Sequence, residues 1–196
     1  MFANRFTALV DACVLFSPLK RNVILSLAEA ELFRVRWSDE ILDETEKATA
    51  EFLLQRECPD SRERARRARE AMEAAFEDAK VDGYESIAGE LGELPDEGDR
   101  HVIAAAVRCR ADIIVTENIK DFPNELLGKY CIEAKTADEF IADAIDLNSA
   151  LAISAVRRMR NRLNRPEKTP EKLLLDLEKI GLTQTADQLR DSIDLI

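Results

Sequence analysis

The sequence predicts an α/β fold, with a mostly parallel central sheet covered by helices and a helical appendage at the C-terminal side. Three observations predict it. Two short runs, 6–10 and 111–115, are mostly apolar and β-leaning, as suits strands buried on both faces. Segments with helical i, i+3, i+4 spacing lie between them. Both runs end at polar residues, Asp11 and Thr116, and ligands of such sheets bind off the carboxyl ends of the strands.

The elements follow in order. Phe6–Val10 reads as the first strand. Pro18 marks the start of a helix carrying Val23, Ile24, Leu27, Ala28 and Ala30. Leu32–Trp37 is a short strand-like run. Ser38 is a good N-cap for a helix with Ile41, Leu42 and Thr45, continuing to Leu53. Residues 59–80, dense in Ala, Arg and Glu, form a further helix supported by opposite charges at i, i+4. Gly83–Pro95 holds three glycines and a proline and reads as loop or short turns. His101–Arg110 suits a helix packed on a sheet, and Ala111–Thr116 is the second central strand. Glu117–Leu127 is a loop with a short helix, Tyr130–Glu133 a short strand, and Thr136 caps a helix through Asp146.

Residues 147–196 differ in character. Ala150–Arg160 is an amphipathic helix ending in arginines, and Pro166 and Pro170 bracket a linker. Thr169 caps a helix over Glu171–Ile180, Gly181 stops it, and Thr183 starts a last short helix. The expected organisation is therefore a domain over 1–146 and a helical extension over 147–196.

Composition narrows the functional classes. The chain has 196 residues, 46% hydrophobic and 34% charged, a globular balance. No apolar run approaches the ~20 residues that span a bilayer. Ala8–Leu19 is short and interrupted by Asp11, so neither a signal peptide nor a membrane partner is expected. Cys13, Cys58, Cys109 and Cys131 form no CxxC pair and read as reduced thiols of a cytoplasmic protein. The net charge of −11 argues against a simple phosphate-binding surface. Clustered acids, however, become attractive to phosphate once they hold a cation. Arg157, Arg158, Arg160, Arg162 and Arg165 also form an acid-free run, which could grip RNA or an acidic partner as readily as coat a solvated helix face.

Four acids stand at element boundaries: Asp11, Glu44, Asp99 and Asp121. Each has an ordinary alternative. Asp99 could cap its helix, Glu44 could be a solvated helix acid, and Asp121 could be a turn residue. Asp11 resists such a reading, because an acid ending an apolar strand is costly to bury unpaired. Converging carboxylates raise one another's pKa, and a hard divalent cation removes that penalty. Oxygen ligands with retained waters suit Mg²⁺ or Mn²⁺, which activates water and stabilises a leaving alkoxide.

Other chemistries are poorly supplied. His101 is the single histidine and reads as packed or partly exposed, which disfavours Ser-His-Asp and Cys-His catalysis. Zinc clusters and glycine-rich phosphate loops are missing from the sequence. Aspartyl-phosphate chemistry is disfavoured because Cys13 stands where a second Asp would be needed.

The sequence resembles the PIN-domain ribonucleases, and within them the VapC-type toxins of bacterial toxin–antitoxin pairs. The resemblance covers roughly residues 5–135. It rests on VDACVL with Asp11, on WSDEILDETEKA with Glu44, and on PDEGDRHVIAAAVRCRADIIVTENIKDFP with Asp99. In the last stretch a helix, a strand and a T-x-N-x-x-D-F-P loop follow in family order. Two departures stand out. Asp11-Ala12-Cys13 puts a cysteine where the family commonly carries the polar residue of DTN or DAN. Asn118 stands where many members carry a fourth Asp, so either Asp121, three residues on, or Asn118 completes the acidic site. The tail resembles a helical extension of one VapC subgroup.

The resemblance implies a three-layer α/β/α PIN-like fold and an endoribonuclease specific for single-stranded RNA, dependent on Mg²⁺ or Mn²⁺. It also implies a cognate antitoxin, and a homodimer or a toxin–antitoxin hetero-oligomer. Asp11 and Asp99 are the expected direct metal ligands, with Glu44 and Asp121 acting directly or through water. Thr116 and Asn118 are expected to hold these carboxylates by hydrogen bonds. A non-catalytic PIN module binding RNA or a protein, and a metal-dependent phosphatase, are the alternatives.

Overall fold

A computed structural model describes residues 6–163 and 167–196. In chain order its first half contains β1 (Thr7–Val10), α1 (Ala12–Leu15), α2 (Pro18–Glu29), β2 (Arg34–Arg36), α3 (Asp39–Gln55), α4 (Ser61–Ala75) and α5 (Glu85–Glu90). There follow α6 (Arg100–Cys109), β3 (Ile113–Val115), α7 (Asn124–Leu127), β4 (Glu133–Lys135), α8 (Ala137–Leu147), α9 (Ser149–Arg162), α10 (Pro170–Lys179) and α11 (Thr183–Arg190).

The chain divides into two compact units. One holds Phe6–Ser17 and Val35–Lys135, the other Pro18–Arg34 and Thr136–Ile196. The sheet has the strand order β2-β1-β3-β4. β1 pairs parallel to β3, with Ala8 opposite Ile113 and Val10 opposite Val115. β3 pairs parallel to β4, with Ile113 opposite Glu133. The chain leaves β1 toward β2 on one side and returns to β3 on the other. The switch point therefore falls between β1 and β3, where such sheets open a crevice at the strand ends.

In the first unit, Ala8, Leu9, Val10, Ile114 and Val115 are fully buried. Helix α6 packs on β1 and β3, and its Val102, Ile103, Ala104, Ala105 and Ala106 are fully buried as well. Each large side chain removed from water in this way contributes about 1.5–3 kcal/mol. Ser38 caps α3 by accepting from Ile41 N–H at 3.2 Å. Trp37 meets Phe76 edge to face, with ring centroids 5.9 Å apart. On α4, Arg67 pairs with Glu63 at 2.8 Å and Arg66 with Glu70 at 2.6 Å, the i, i+4 support the composition predicts.

The second unit is helical. Phe33 meets Phe140 edge to face at 4.8 Å between centroids. Thr136 and Glu139 form a reciprocal capping box on α8. Asp138 accepts from Gln184 N–H and Thr185 N–H, both at 2.9 Å, and so caps α11 from a neighbouring helix. Of the arginines in 157–162, Arg158 donates to Ser154 Oγ at 2.9 Å, Arg160 to the Lys168 carbonyl at 2.6 Å, and Arg162 to Glu29 Oε2 at 2.9 Å. Each of these three guanidinium groups thus has a partner inside the unit. Arg165 and Pro166 of the expected arginine run and linker lie outside the described residues.

Three elements differ from the sequence expectation. Gly83–Pro95 contains the short helix α5. The Arg100 guanidinium organises it, donating to the carbonyls of Ala88 at 3.0 Å, Leu91 at 2.8 Å and Gly92 at 3.0 Å. The strand expected at Tyr130–Glu133 begins only at Glu133. Cys131 has a φ of 57° in the left-handed region, and pairing of Glu133 with Ile113 sets the register instead. Finally, a single helical turn, α1, follows Asp11 directly.

Candidate active site

The ladder between β1 and β3 continues past both strands. Asp11 N–H donates to the Val115 carbonyl at 3.0 Å, so Asp11 emerges beside Thr116 at the carboxyl end of the sheet. Both residues are withdrawn from solvent, with Asp11 at 4% and Thr116 at 0% exposure. Thr116 Oγ1 donates to Asp11 Oδ2 at 2.7 Å. Cys13 Sγ donates to the same oxygen at 3.0 Å. Among the described residues both donors converge on Oδ2, and the other carboxylate oxygen takes neither. The loop after β3 supports both donors in turn. Glu117 N–H donates to Cys13 Sγ at 3.2 Å, and Asn118 N–H donates to Thr116 Oγ1 at 3.1 Å.

Asp99 stands at the start of α6, half-buried, and its side chain makes no cap hydrogen bond there. The ordinary capping role is thus not the one it fills. Burial first, then the negative charges of Asp11, Asp96 and Asp121, push its carboxyl from 3.8 up to about 6, against a smaller opposing pull from His101. Asp99, Asp11 and Asp121 therefore share one electrostatic environment although they come from three parts of the chain. Asp121 closes a 3₁₀ turn and is half-buried, with its backbone N–H donating to the Asn118 carbonyl at 2.9 Å.

Glu44 is held differently. Its Oε1 lies 3.2 Å from His101 Nε2, and Glu40 Oε2 lies 3.3 Å from His101 Nδ1. The Nδ1 contact is close but lacks the alignment of a hydrogen bond, since Nδ1 is buried with no hydrogen-bond partner. The Glu44–His101 contact is thus the stronger of the two. Burial alone would lower the His101 pKa. The hydrogen bond to Glu44 and the charges of Glu44, Glu40 and Asp11 outweigh it, and the net direction is up. Glu44 is exposed, and its contact is with His101, which itself feels the charge of Asp11.

Asn118 contributes to the network by its backbone, and its residue is exposed. The Cys13 thiol is pushed up to about 12, first by burial and then by the charge of Asp11 and its hydrogen bond, so it stays a protonated donor. Sequence reasoning gave no part in the site to Cys13, His101, Glu40 or Asp96. Two of them carried a spacing signal: Cys13 follows Asp11 by two positions, and Glu40 and Glu44 sit at i, i+4, where one imidazole reaches both.

The donor set suits a hard dication. Asp11 and Asp99 offer carboxylate oxygens, and burial together with neighbouring negative charge already raises that of Asp99. Among the described residues, no three His, Cys, Asp or Glu side chains stand close enough together to hold a metal as they lie. A pair of carboxylates is nonetheless a sufficient protein contribution for Mg²⁺, which keeps several waters.

A parallel sheet with a switch point between β1 and β3, and a buried strand-terminal Asp whose charge acts on a helix-heading Asp, define a PIN-like α/β/α protein. The chain belongs to the PIN domain family, whose model matches residues 7–120. Residues 137–191 match the model described as VapC50 C-terminal domain. The chain is also similar to a protein of Mycobacterium tuberculosis described as "Putative ribonuclease VapC50", with 43% identity over 76 residues. That match covers 39% of this chain and 45% of the relative, so the chain spans less than half of its length. No solved structure matches the chain. Among the described residues, no helix is long and apolar enough to cross a membrane.

Proposed function

We propose that this chain is a Mg²⁺- or Mn²⁺-dependent endoribonuclease that cleaves single-stranded RNA, the toxin of a type II toxin–antitoxin pair acting in the cytoplasm. Its partners on this reading are RNA and a cognate antitoxin, in a homodimer or a toxin–antitoxin hetero-oligomer. Family membership and the relative described as a ribonuclease support the class of activity. The observation that carries the reading is Asp11, 4% exposed at the end of β1, beside an Asp99 carboxyl raised first by burial and then by the charge of Asp11. A buried acid with a half-buried one in its field is costly unless a cation neutralises the charge.

Asp11 and Asp99 are the residues that would hold the ion. A bound Mg²⁺ or Mn²⁺ supplies an activated water and offsets charge on the phosphate and the leaving oxygen. The remaining work belongs to the chain. Thr116 fixes one oxygen of Asp11, so the carboxylate keeps a single orientation. Asp121 adds negative charge beside Asp99. Glu44, held by His101, stands ready to accept a proton or to position a water.

The domain division at 146/147 is likewise proposed as a functional one, with the nuclease work confined to residues 1–146.

Asp11→Asn tests the reading. Cleavage of a single-stranded RNA with Mg²⁺ is expected to fall at least ~10²-fold, since several kcal/mol of charge stabilisation would be impaired. Undiminished cleavage by this variant removes the assignment. A second reading, a PIN module that binds RNA or protein without cleaving, is favoured by the spacing of the acids, since among the described residues no three are within ligating reach. It predicts no rise in melting temperature with Mn²⁺, whereas the nuclease reading predicts a rise.

A further inference from the structure

We propose that Cys13 is a positioning residue for the acidic site. Its thiol orients Asp11 and couples that carboxylate to the loop after β3. The inference rests on the metal-site reading above and names a residue that reading does not use.

Three contacts carry it. Cys13 Sγ donates to Asp11 Oδ2 at 3.0 Å, stands 3.3 Å from Thr116 Oγ1, and accepts from Glu117 N–H at 3.2 Å. With the bond from Thr116 to Asp11 at 2.7 Å, thiol, hydroxyl and carboxylate close a triangle. Each corner comes from a different place: the end of β1, the first turn of α1, and the end of β3. Thr116 has one proton, which Asp11 takes. The second donor to Oδ2 is therefore the thiol.

The consequence is directional. Two donors on Oδ2 restrict rotation of the carboxylate and leave the other oxygen free of both. Glu117 N–H and Asn118 N–H orient those two donors by consecutive backbone bonds. A displacement of the 117–118 segment would then turn Asp11. Outer partners of this kind typically tune metal affinity 10–100-fold. The cysteine occupies the position where the resembling motif carries a polar residue. The thiol supplies a donor to Asp11, and an apolar residue of the same size would not.

The test compares the parent chain with Cys13→Ala and Cys13→Ser, using Mn²⁺ as the probe. Mn²⁺ affinity is read from the electron paramagnetic resonance signal of free ion, without RNA. Cys13→Ala is expected to bind Mn²⁺ about 10-fold more weakly, and Cys13→Ser within about twofold of the parent, because the hydroxyl restores the donor. In cleavage assays kcat of Cys13→Ala should fall while KM for RNA stays level, since the substrate contacts are untouched. Melting of the metal-free variants separates this role from simple packing. A Cys13→Ala chain that melts near the parent yet loses Mn²⁺ supports positioning. Parent-like Mn²⁺ binding by Cys13→Ala overturns the proposal, and so does a Cys13→Ser variant as weak as Cys13→Ala. If Cys13→Ala fails to fold, Cys13→Val, which fills the space without a donor, takes its place in the same comparison. A parent that binds Mn²⁺ and leaves RNA whole ends the nuclease reading without touching this one. A parent that binds no Mn²⁺ ends both.

Discussion

His101 Nε2 lies 3.2 Å from Glu44 Oε1, joining the first turn of α6 to α3 through one half-buried imidazole. The contact has a predictable pH dependence. The partner charges raise the folded pKa of His101 above its ordinary 6.5. The stability it contributes is fully present below 6.5 and is lost as pH rises through the folded value. Melting of the parent should therefore decline across that interval, relative to His101→Gln. Parallel curves for the two chains would remove this role from His101.

Asp99 is an acid, yet its pH slope has the same sign as that of His101, because its folded pKa is also raised. Its carboxyl, lifted from 3.8 to about 6, is more easily protonated in the folded chain than in the unfolded one. Stability of the metal-free protein should fall as pH rises from about 4 to about 6 and level off above. Asp99→Asn should abolish that slope and melt higher than the parent at pH 7. Mn²⁺ should recover stability in the parent and not in the variant. A variant that retains the slope would show that another group causes it.

Thr116 is fully buried and donates to a buried carboxylate. Thr116→Val keeps the shape and deletes the donor. Unfolding in urea should show a loss of about 1.5–3 kcal/mol, the range for hydrogen bonds to charged groups. A neutral result would mean that water replaces the hydroxyl at Asp11.

Asp138 tests the second unit independently. It is 8% exposed and accepts from two backbone N–H groups at the start of α11. Asp138→Ala should cost about 1–2 kcal/mol, the scale of a lost helix cap. Hydrogen exchange should localise the change to Gln184 and Thr185. Protection of those amides equal to the parent's would exclude the capping role.

Much of the α/β class was legible because it depends on local rules. Apolar runs without alternation mark strands covered on both faces, and β1 and β3 fall inside the two such runs. Ser38, Thr136 and Thr169 each cap the helix the sequence assigns to them. The helix α5 was not legible, because its carbonyls are satisfied by Arg100 from beyond the loop. The start of β4 was hidden for the same kind of reason: register belongs to the partner strand.

By itself the sequence determined the element order, the caps and the acids that stand at element ends, since each follows from chemistry within a few residues. Only the tertiary structure decided which groups those acids meet. It brought Cys13 and Thr116 to one oxygen of Asp11, gave Glu44 to His101, and set the charge of Asp11 near Asp99. The physical reason is that hydrogen bonds and Coulomb forces act through space over a few ångströms, and only the packed sheet brings positions about a hundred residues apart, such as Asp11 and Thr116, within that reach.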